Sequence, residues 1–457
     1  MSSTIKRNKY EIDMCNGTIM DKLISFSLPL MLSGILQLMF NAVDIIVIGR
    51  FSGSQSLAAV GSTTALINMF TNLFIGISLG ANVLSARFYA AGKDKEMSET
   101  VHTAITLALI SGIIMVFVGL IFAKPVLELM DTPDDVINLS TLYMRIYFMG
   151  MPFFMLYNYG ASILRAVGDT KRPLFYLIVA GIANAGLNMC LVIIFHLGVA
   201  GVAIGTVISQ LISSILVLRC LYRSETSYKL RFSKLKIQKE YLKQIFQVGI
   251  PAGIQSTVIN FSNVLLQSSV NSFGSIAMAG YTAANNIFGF LYVTVNAVTQ
   301  ACMSFTSQNY GVGKWKRMDR VLIDCLILSF VAMMILGNSA YFFGPKLLTI
   351  YTSNSKVIQC GMEILLYTTV TYFLCGFMDL FPGALRGMGR SGVPMILSII
   401  GTVGTRIVWI FWIFPNHRSL DILFISYPAS WIITIVLQVI CYYFVRKQLY
   451  AKMRAEA

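Results

Sequence analysis

Long apolar runs separated by short polar segments organise the whole chain. They cover approximately 23–49, 57–85, 100–122, 138–160, 173–195, 199–219, 245–273, 280–306, 322–344, 360–382, 394–414 and 422–445. Each is long enough for a helix to cross a hydrocarbon core of about 30 Å at about 1.5 Å per residue. The pattern predicts an all-α integral membrane protein with twelve transmembrane helices. The polar opening leads directly into an apolar run too long for a signal-peptide core, so no cleaved leader is expected.

The polar turns repeat. "LRAVGDTKRP" at Leu164–Pro173 is answered by "LRGMGRSGVP" at Leu385–Pro394, 221 positions on. "SLP" at Ser27–Pro29 answers "GIP" at Gly249–Pro251, at a shift of 222. "LAAVG" at Leu57–Gly61 answers "IAMAG" at Ile276–Gly280, at a shift of 219. "FYAAGK" ending at Lys93 answers "NYGVGK" ending at Lys314, and Pro125 answers Pro345. One order at one near-constant spacing is a tandem duplication. Six spans per copy give both copies the same orientation, which predicts two six-helix lobes related by a pseudo-two-fold axis along the membrane normal. The expected organisation is an N-terminal segment 1–22, a first lobe 23–219, a basic linker 220–244, a second lobe 245–445 and a tail 446–457.

Composition strengthens the membrane reading: 56% of the 457 residues are hydrophobic and 12% charged, about half the charge of a globular chain. Mean hydropathy is +0.71. The net charge of +15 suggests nucleic acid until it is mapped. Loops on the side of both termini hold 28 lysines and arginines, and the opposite loops hold 5. That asymmetry is the positive-inside rule, so both termini are expected in the cytoplasm and no nucleic-acid partner is implied. The acidic loop Met130–Asp135 is expected outside. The linker reads as a solvated connector near anionic headgroups. The eight cysteines are scattered without disulfide or metal spacing and read as packing residues.

Soluble-enzyme signatures are missing: no phosphate-binding loop, no Gly-x-Ser-x-Gly, and three histidines without a cluster. "GISLG" at Gly76–Gly80 and "GVAIG" at Gly201–Gly205 are small-xxx-small patterns for close helix packing. Ionisable residues inside lipid are costly and therefore candidates for function. Five lie within spans: Asp44, Arg145, Glu363, Asp379 and Arg406. Glu363 and Asp379 lie near span ends and can reach water; the sequence names no partner for Arg145 or Arg406.

Asp44 has a context. Gln37, Asn41 and Asp44 share one face of the first helix, which is expected to look into the bundle. Counting about 1.5 Å per residue, Asp44 lies about 8 Å below the outer end of its helix, and Asn188 and Thr206 each about 12 Å below theirs. Asn184 is one turn below Asn188 on the same face. An acid with amide and hydroxyl oxygens suits H⁺ or a small hard cation such as Na⁺. The duplicate first helix keeps an amide at Asn263 but has Leu266 in place of the aspartate. Asn260, Asn263 and Gln267 form a polar, uncharged stripe there, which with Gln37 and Asn41 is expected to line a substrate cavity. The 24 methionines and 30 phenylalanines suit a pocket accepting many shapes.

The duplicated six-helix halves, the paired "LRAVGDTKRP" and "LRGMGRSGVP" loops, "SLPLMLSGILQLMFNAVDIIVIGR", and "NAGLN...GVAGVAIGTVISQ" resemble the multidrug and toxic compound extrusion (MATE) family from about residue 20 to 445. The resemblance implies export of amphipathic, often cationic, compounds in exchange for H⁺ or Na⁺ by alternating access. It also implies a first-lobe cation site at Asp44, Asn184, Asn188 and Thr206. Asn188 departs from the family, where many members carry a second acid, and the seventh span lacks the acid some members use. By the same resemblance the chain is a monomeric multi-pass protein of the bacterial cytoplasmic membrane without a cofactor, its partners small molecules and lipid. A flippase for lipid-linked sugars is the alternative from the same superfamily, and would be marked by a cavity ringed with cations. An integral-membrane acyl- or glycosyltransferase is a third reading, disfavoured by sparse histidine. A major-facilitator carrier also has two six-helix halves, but its basic loop signature is not evident in "ARFYAAGKDKE".

Overall fold

The computed structural model describes residues 9–130 and 132–456, so residues 1–8 of the N-terminal segment and Asp131 of the acidic loop lie outside the described residues. Among the described residues, all regular structure is helical. Nine helices among the described residues are long and apolar enough to cross a membrane unbroken: Met20–Phe51 (span 1), Gly53–Ala90 (span 2), Asp94–Leu129 (span 3), Lys171–Ile194 (span 5), Gly198–Arg223 (span 6), Ser275–Gly311 (span 8), Trp315–Phe342 (span 9), Gly392–Asn416 (span 11) and the Leu420–Glu456 helix (span 12).

The other three spans need a physical account. Span 4 is written in two pieces, Asp134–Met149 and Met151–Ala166, separated by Gly150. Pro152 follows at once, and a proline has no N–H to continue the ladder. Gly112 of span 3 meets that break; a Cβ there would collide with the Pro152 backbone. Span 10 is also broken, Ser355–Thr369 and Tyr372–Gly387 meeting at 45°. Hydroxyls of Thr368, Thr369 and Thr371 donate to carbonyls one turn back, at 2.6, 2.6 and 2.7 Å, a bonding pattern that bends helices. Span 7, Lys239–Asn271, is less apolar because its stripe of amides is part of its length.

The backbone repeats with the sequence. Gly92 and Gly313 both end their helices at positive φ, +65° and +70°. The following lysine N–H returns to the carbonyl five residues back in each case, Lys93 to Phe88 at 3.0 Å and Lys314 to Asn309 at 2.9 Å. In the paired ten-residue loops, Gly168 and Gly389 take φ of +96° and +80°. Glycine adopts this left-handed turn without steric cost, which is why the duplicated turns kept it.

Contacts divide the chain into two compact units. One holds residues 9–13 with Leu28–Gly253, and the other Met14–Ser27 with Ile254–Ala457. Within the first, the opening turns of span 7 pack on span 2 through glycines. A Cβ on Gly253 would stand 2.6 Å from the Leu73 carbonyl, and Gly76 and Gly80 face Gly253 and Ile245 with no room for one. Small residues let two backbones approach where no hydrophobic force drives helices together. The linker is not the solvated connector its charge suggests. Tyr228 and Leu230 are wholly buried, and the Tyr228 and Tyr89 hydroxyls each donate to Glu11 at 2.6 Å. In the second unit, Asn309 and Arg317 donate to the Met14 carbonyl at 3.1 and 3.2 Å, fixing the segment that precedes span 1.

Candidate cation site and its second-lobe counterpart

Spans 1, 5 and 6 bring four polar side chains together in the first unit. Asn188 Nδ2 donates to Asp44 Oδ1 at 2.5 Å and lies 3.4 Å from Asn184 Oδ1. Asn184 Nδ2 reaches Thr206 Oγ1 at 3.4 Å, and Thr206 donates to the Val202 carbonyl at 2.9 Å. Asp44, Asn184 and Asn188 are all buried. Among the described residues no cation pairs with Asp44. Asn188 Oδ1 is buried and accepts no hydrogen bond. The result is a buried carboxylate beside an amide oxygen with spare capacity, a set of oxygens that a proton or a small cation would complete. No cluster of three or more His, Cys, Asp or Glu placed to hold a metal occurs among the described residues.

Local structure explains how span 6 gets close enough. Gly205 faces Asn188, and a Cβ there would collide with its Oδ1. Gly201, one turn earlier, faces the Leu191 backbone at 3.2 Å. The "GVAIG" pattern is thus the packing device that seats the cluster. Immediately after Asn188, span 5 passes into a π-helical stretch, Cys190–Ile194. Such stretches free backbone groups and recur at functional sites.

Sequence reasoning missed the wall contributed by span 4. Tyr143 and Tyr147, ring centroids 6.0 Å apart, lie within electrostatic reach of Asp44. Gly150, at the break, leaves room for Gln210, whose Oε1 would be 2.9 Å from a Cβ there. The spacing Tyr143, Tyr147, Gly150 at i, i+4, i+7 was a signal in the sequence. Gln37 and Asn41, expected on the face of Asp44, are exposed and do not join the cluster. Arg145 is exposed on span 4.

In the second unit, spans 7, 11 and 12 build a cluster of opposite sign. Arg406 is 3% exposed. Its Nη1 donates to Asn263 Oδ1 at 2.8 Å and to Ser262 Oγ at 3.3 Å, and its Nε to Ser430 Oγ at 3.4 Å. The guanidinium carbon lies 4.7 Å from the centre of the Tyr427 ring, and the Tyr427 hydroxyl is 2.8 Å from that of Tyr281. Two π-helical stretches, Ile399–Gly404 and Trp409–Ile413, flank the turn that carries Arg406. The stripe that looked uncharged is therefore built against a buried base. Asn263 is half-buried, Asn260 is exposed, and Gln267 donates to Asn271 at 3.2 Å. Asp379 sits beside Tyr292 and Arg386, and Arg386 donates to Gln255 at 2.7 Å, a separate network toward the other end of the lobe. Glu363 is half-buried near Asp421.

Comparison with known proteins follows the same outline. The MatE family profile matches twice, over residues 29–190 and 251–412, at the offset of 222 that the repeated "SLP" and "GIP" segments show. The chain is 30% identical over 434 residues to the probable multidrug resistance protein YoeA of Bacillus subtilis, covering 93% of each. It is 23% identical over 380 residues to the multidrug export protein MepA of Staphylococcus aureus, covering 83% of this chain and 84% of that one. Among solved structures, the outward-facing conformation of a multidrug resistance MATE family transporter superposes with a TM-score of 0.89 at 20% identity, over 98% of this chain and all of the other. A MATE in the bent conformation gives 0.86 over 95% and 96%. With twelve helices in two lobes and a profile match in each, the chain belongs to the multidrug and toxic compound extrusion family of membrane transporters.

Proposed function

We propose that this chain is a secondary active exporter of amphipathic and cationic compounds, driven by inward flow of H⁺ or Na⁺ and working by alternating access. The observation that carries the reading is the buried Asp44, held by Asn188 and lacking a cationic partner among the described residues. A charge buried in a span is costly unless something completes it, and here the completing group is a proton or a cation. Binding shifts a conformational equilibrium only through differential affinity for its two states, so Asp44 must be loaded more tightly in one state. Asn184, Asn188 and Thr206 supply the remaining oxygens. Asn260, Asn263, Gln267, Gln37 and Asn41 give the spans polar faces that a passing substrate can touch. The positive-inside bias supports cytoplasmic termini, and the bacterial relatives support the cytoplasmic membrane as the site of action. The chain acts as a monomer in this reading.

The test is transport in proteoliposomes with ethidium, under an imposed pH gradient and then a sodium gradient, beside Asp44→Asn. Movement driven by one gradient and lost in the variant is expected. Gradient-driven movement that survives in Asp44→Asn would sink the assignment of Asp44 as the coupling residue. No movement under either gradient would point instead to a specific substrate such as a lipid-linked one.

A further inference from the structure

We propose that Arg406 forms an anion subsite in the second lobe, which takes the carboxylate of a zwitterionic or anionic amphipathic compound. The inference rests on the exporter reading only in taking such a compound to be cargo. All three hydrogen bonds of Arg406 go to neutral oxygens, of Asn263, Ser262 and Ser430, and its guanidinium lies over the π face of Tyr427. Among the described residues no carboxylate pairs with it. A guanidinium carries five donors in a planar fork matched to a carboxylate, and neutral oxygens do not balance its charge. Burial without a counter-ion is the arrangement that a structural arginine avoids and a binding arginine needs.

Access is provided by span 7. Asn263 bonds the guanidinium yet is only half-buried, while Asn260, on the same face, is exposed. Amides within a span are not satisfied by hydrocarbon, so this face meets water or cargo. An arriving carboxylate reaches Arg406 by displacing the Asn263 amide oxygen. Tyr427 lies under the guanidinium and bonds the Tyr281 hydroxyl, and both buried rings hold the charge in place. The π-helical turns on both sides of Arg406 are an independent mark of a site, because they interrupt a regular ladder that a packing role would keep.

The experiment uses two dyes with one fluorophore. Rhodamine 110 carries a free carboxylate, and rhodamine 123 is its methyl ester, a plain cation. Binding to the purified full-length protein is read by fluorescence polarisation. Arg406→Gln is expected to weaken rhodamine 110 at least tenfold and to change rhodamine 123 less than twofold. Asn263→Asp, nearly isosteric, places a carboxylate against the guanidinium and should weaken rhodamine 110 in the same selective way even if Arg406→Gln does not fold. Chloride added up to high concentration at constant ionic strength should compete only weakly. Equal losses for both dyes, no loss for either, no binding of rhodamine 110 to the wild type, or full competition by low chloride would each overturn the subsite. Gradient-driven transport of rhodamine 123 by the wild type, measured alongside, reports on the exporter reading separately.

Discussion

The two lobes are copies, yet the buried charge in one is an acid and in the other a base. At the offset of 222 given by the two family matches, Asp44 corresponds to Leu266, Asn41 to Asn263 and Asn184 to Arg406. The first lobe sets an acid on its first helix against an amide on its fifth. The second sets an amide on its first helix against a base on its fifth. In both, a residue of the sixth helix adds a hydroxyl, Thr206 or Ser430. The junction of equivalent helices has been kept, and in both the fifth helix donates to the first; what has changed is which partner carries the charge, the acceptor Asp44 in one and the donor Arg406 in the other. Helix packing and turn geometry are constrained by backbone contacts that duplication copies whole. A buried charge depends only on the few side chains it touches, so it can change with two or three substitutions.

The lobes differ most at Asp44. Asp44→Asn removes the charge at constant volume and should cut gradient-driven transport by about 100-fold or more, the effect expected when a group needed in only one state is lost. Polarisation of rhodamine 123 on the same protein should change little, which separates lost coupling from lost binding. The corresponding second-lobe substitution, Leu266→Asn, should leave gradient coupling in place, because Leu266 carries no charge to be lost. Loss of coupling there would mean that the acid is not what distinguishes the lobes.

A smaller effect is expected at Asn188, whose amide donates to Asp44. Asn188→Leu leaves the carboxylate unpartnered, a defect worth about 1–3 kcal/mol. Transport should fall by about tenfold at the gradient that saturates the wild type, and partly recover at a steeper one. Full activity at all gradients would show that Asn188 is packing material only.

Much of this is legible in the sequence. Hydropathy located the spans because a membrane permits little besides helices with internally satisfied backbones. Depth counting put Asp44, Asn184, Asn188 and Thr206 at similar levels, and the structure joins them in one hydrogen-bonded chain. The bond between Arg406 and Asn263 was not legible, since 143 positions separate them and the duplication pointed at Leu266 rather than at span 11. Burial of the basic linker was also hidden. Its lysines and arginines dominate the composition, whereas Tyr228 and Leu230 decide where it lies. The breaks in spans 4 and 10 hide for another reason: hydropathy averages over the Pro152 and threonine positions that interrupt the ladder.

Gly205→Ala drives a methyl into Asn188 Oδ1, and Gly401→Ala places one 2.5 Å from Thr434 Oγ1, beside the second cluster. Each should cost about 2–3 kcal/mol by overpacking. Gly186→Ala, with nothing within 4 Å, should be neutral or slightly stabilising. Thermal unfolding in one detergent, followed by loss of monodispersity, ranks the three. A Gly205→Ala protein as stable as Gly186→Ala would show that spans 5 and 6 can separate without penalty.

The smallest contrast lies in the paired loops. Both turn at a left-handed glycine, but the residues after those glycines differ: Asp169 in the first, Arg390 in the second. Asp169 is wholly buried, paired with the Arg172 guanidinium and accepting the Arg172 N–H at 3.1 Å, and Arg172 in turn reaches Tyr228 of the linker at 3.4 Å. Arg390 is exposed. Asp169→Ala should therefore cost about 2 kcal/mol, and Arg390→Ala should stay within about 0.5 kcal/mol. Because Arg172 ties the loop to the linker, Asp169→Ala should also expose the linker to protease between Arg219 and Lys243 at a concentration that spares the wild type. Equal protease resistance would mean that Glu11, through Tyr228 and Tyr89, holds the linker without the loop.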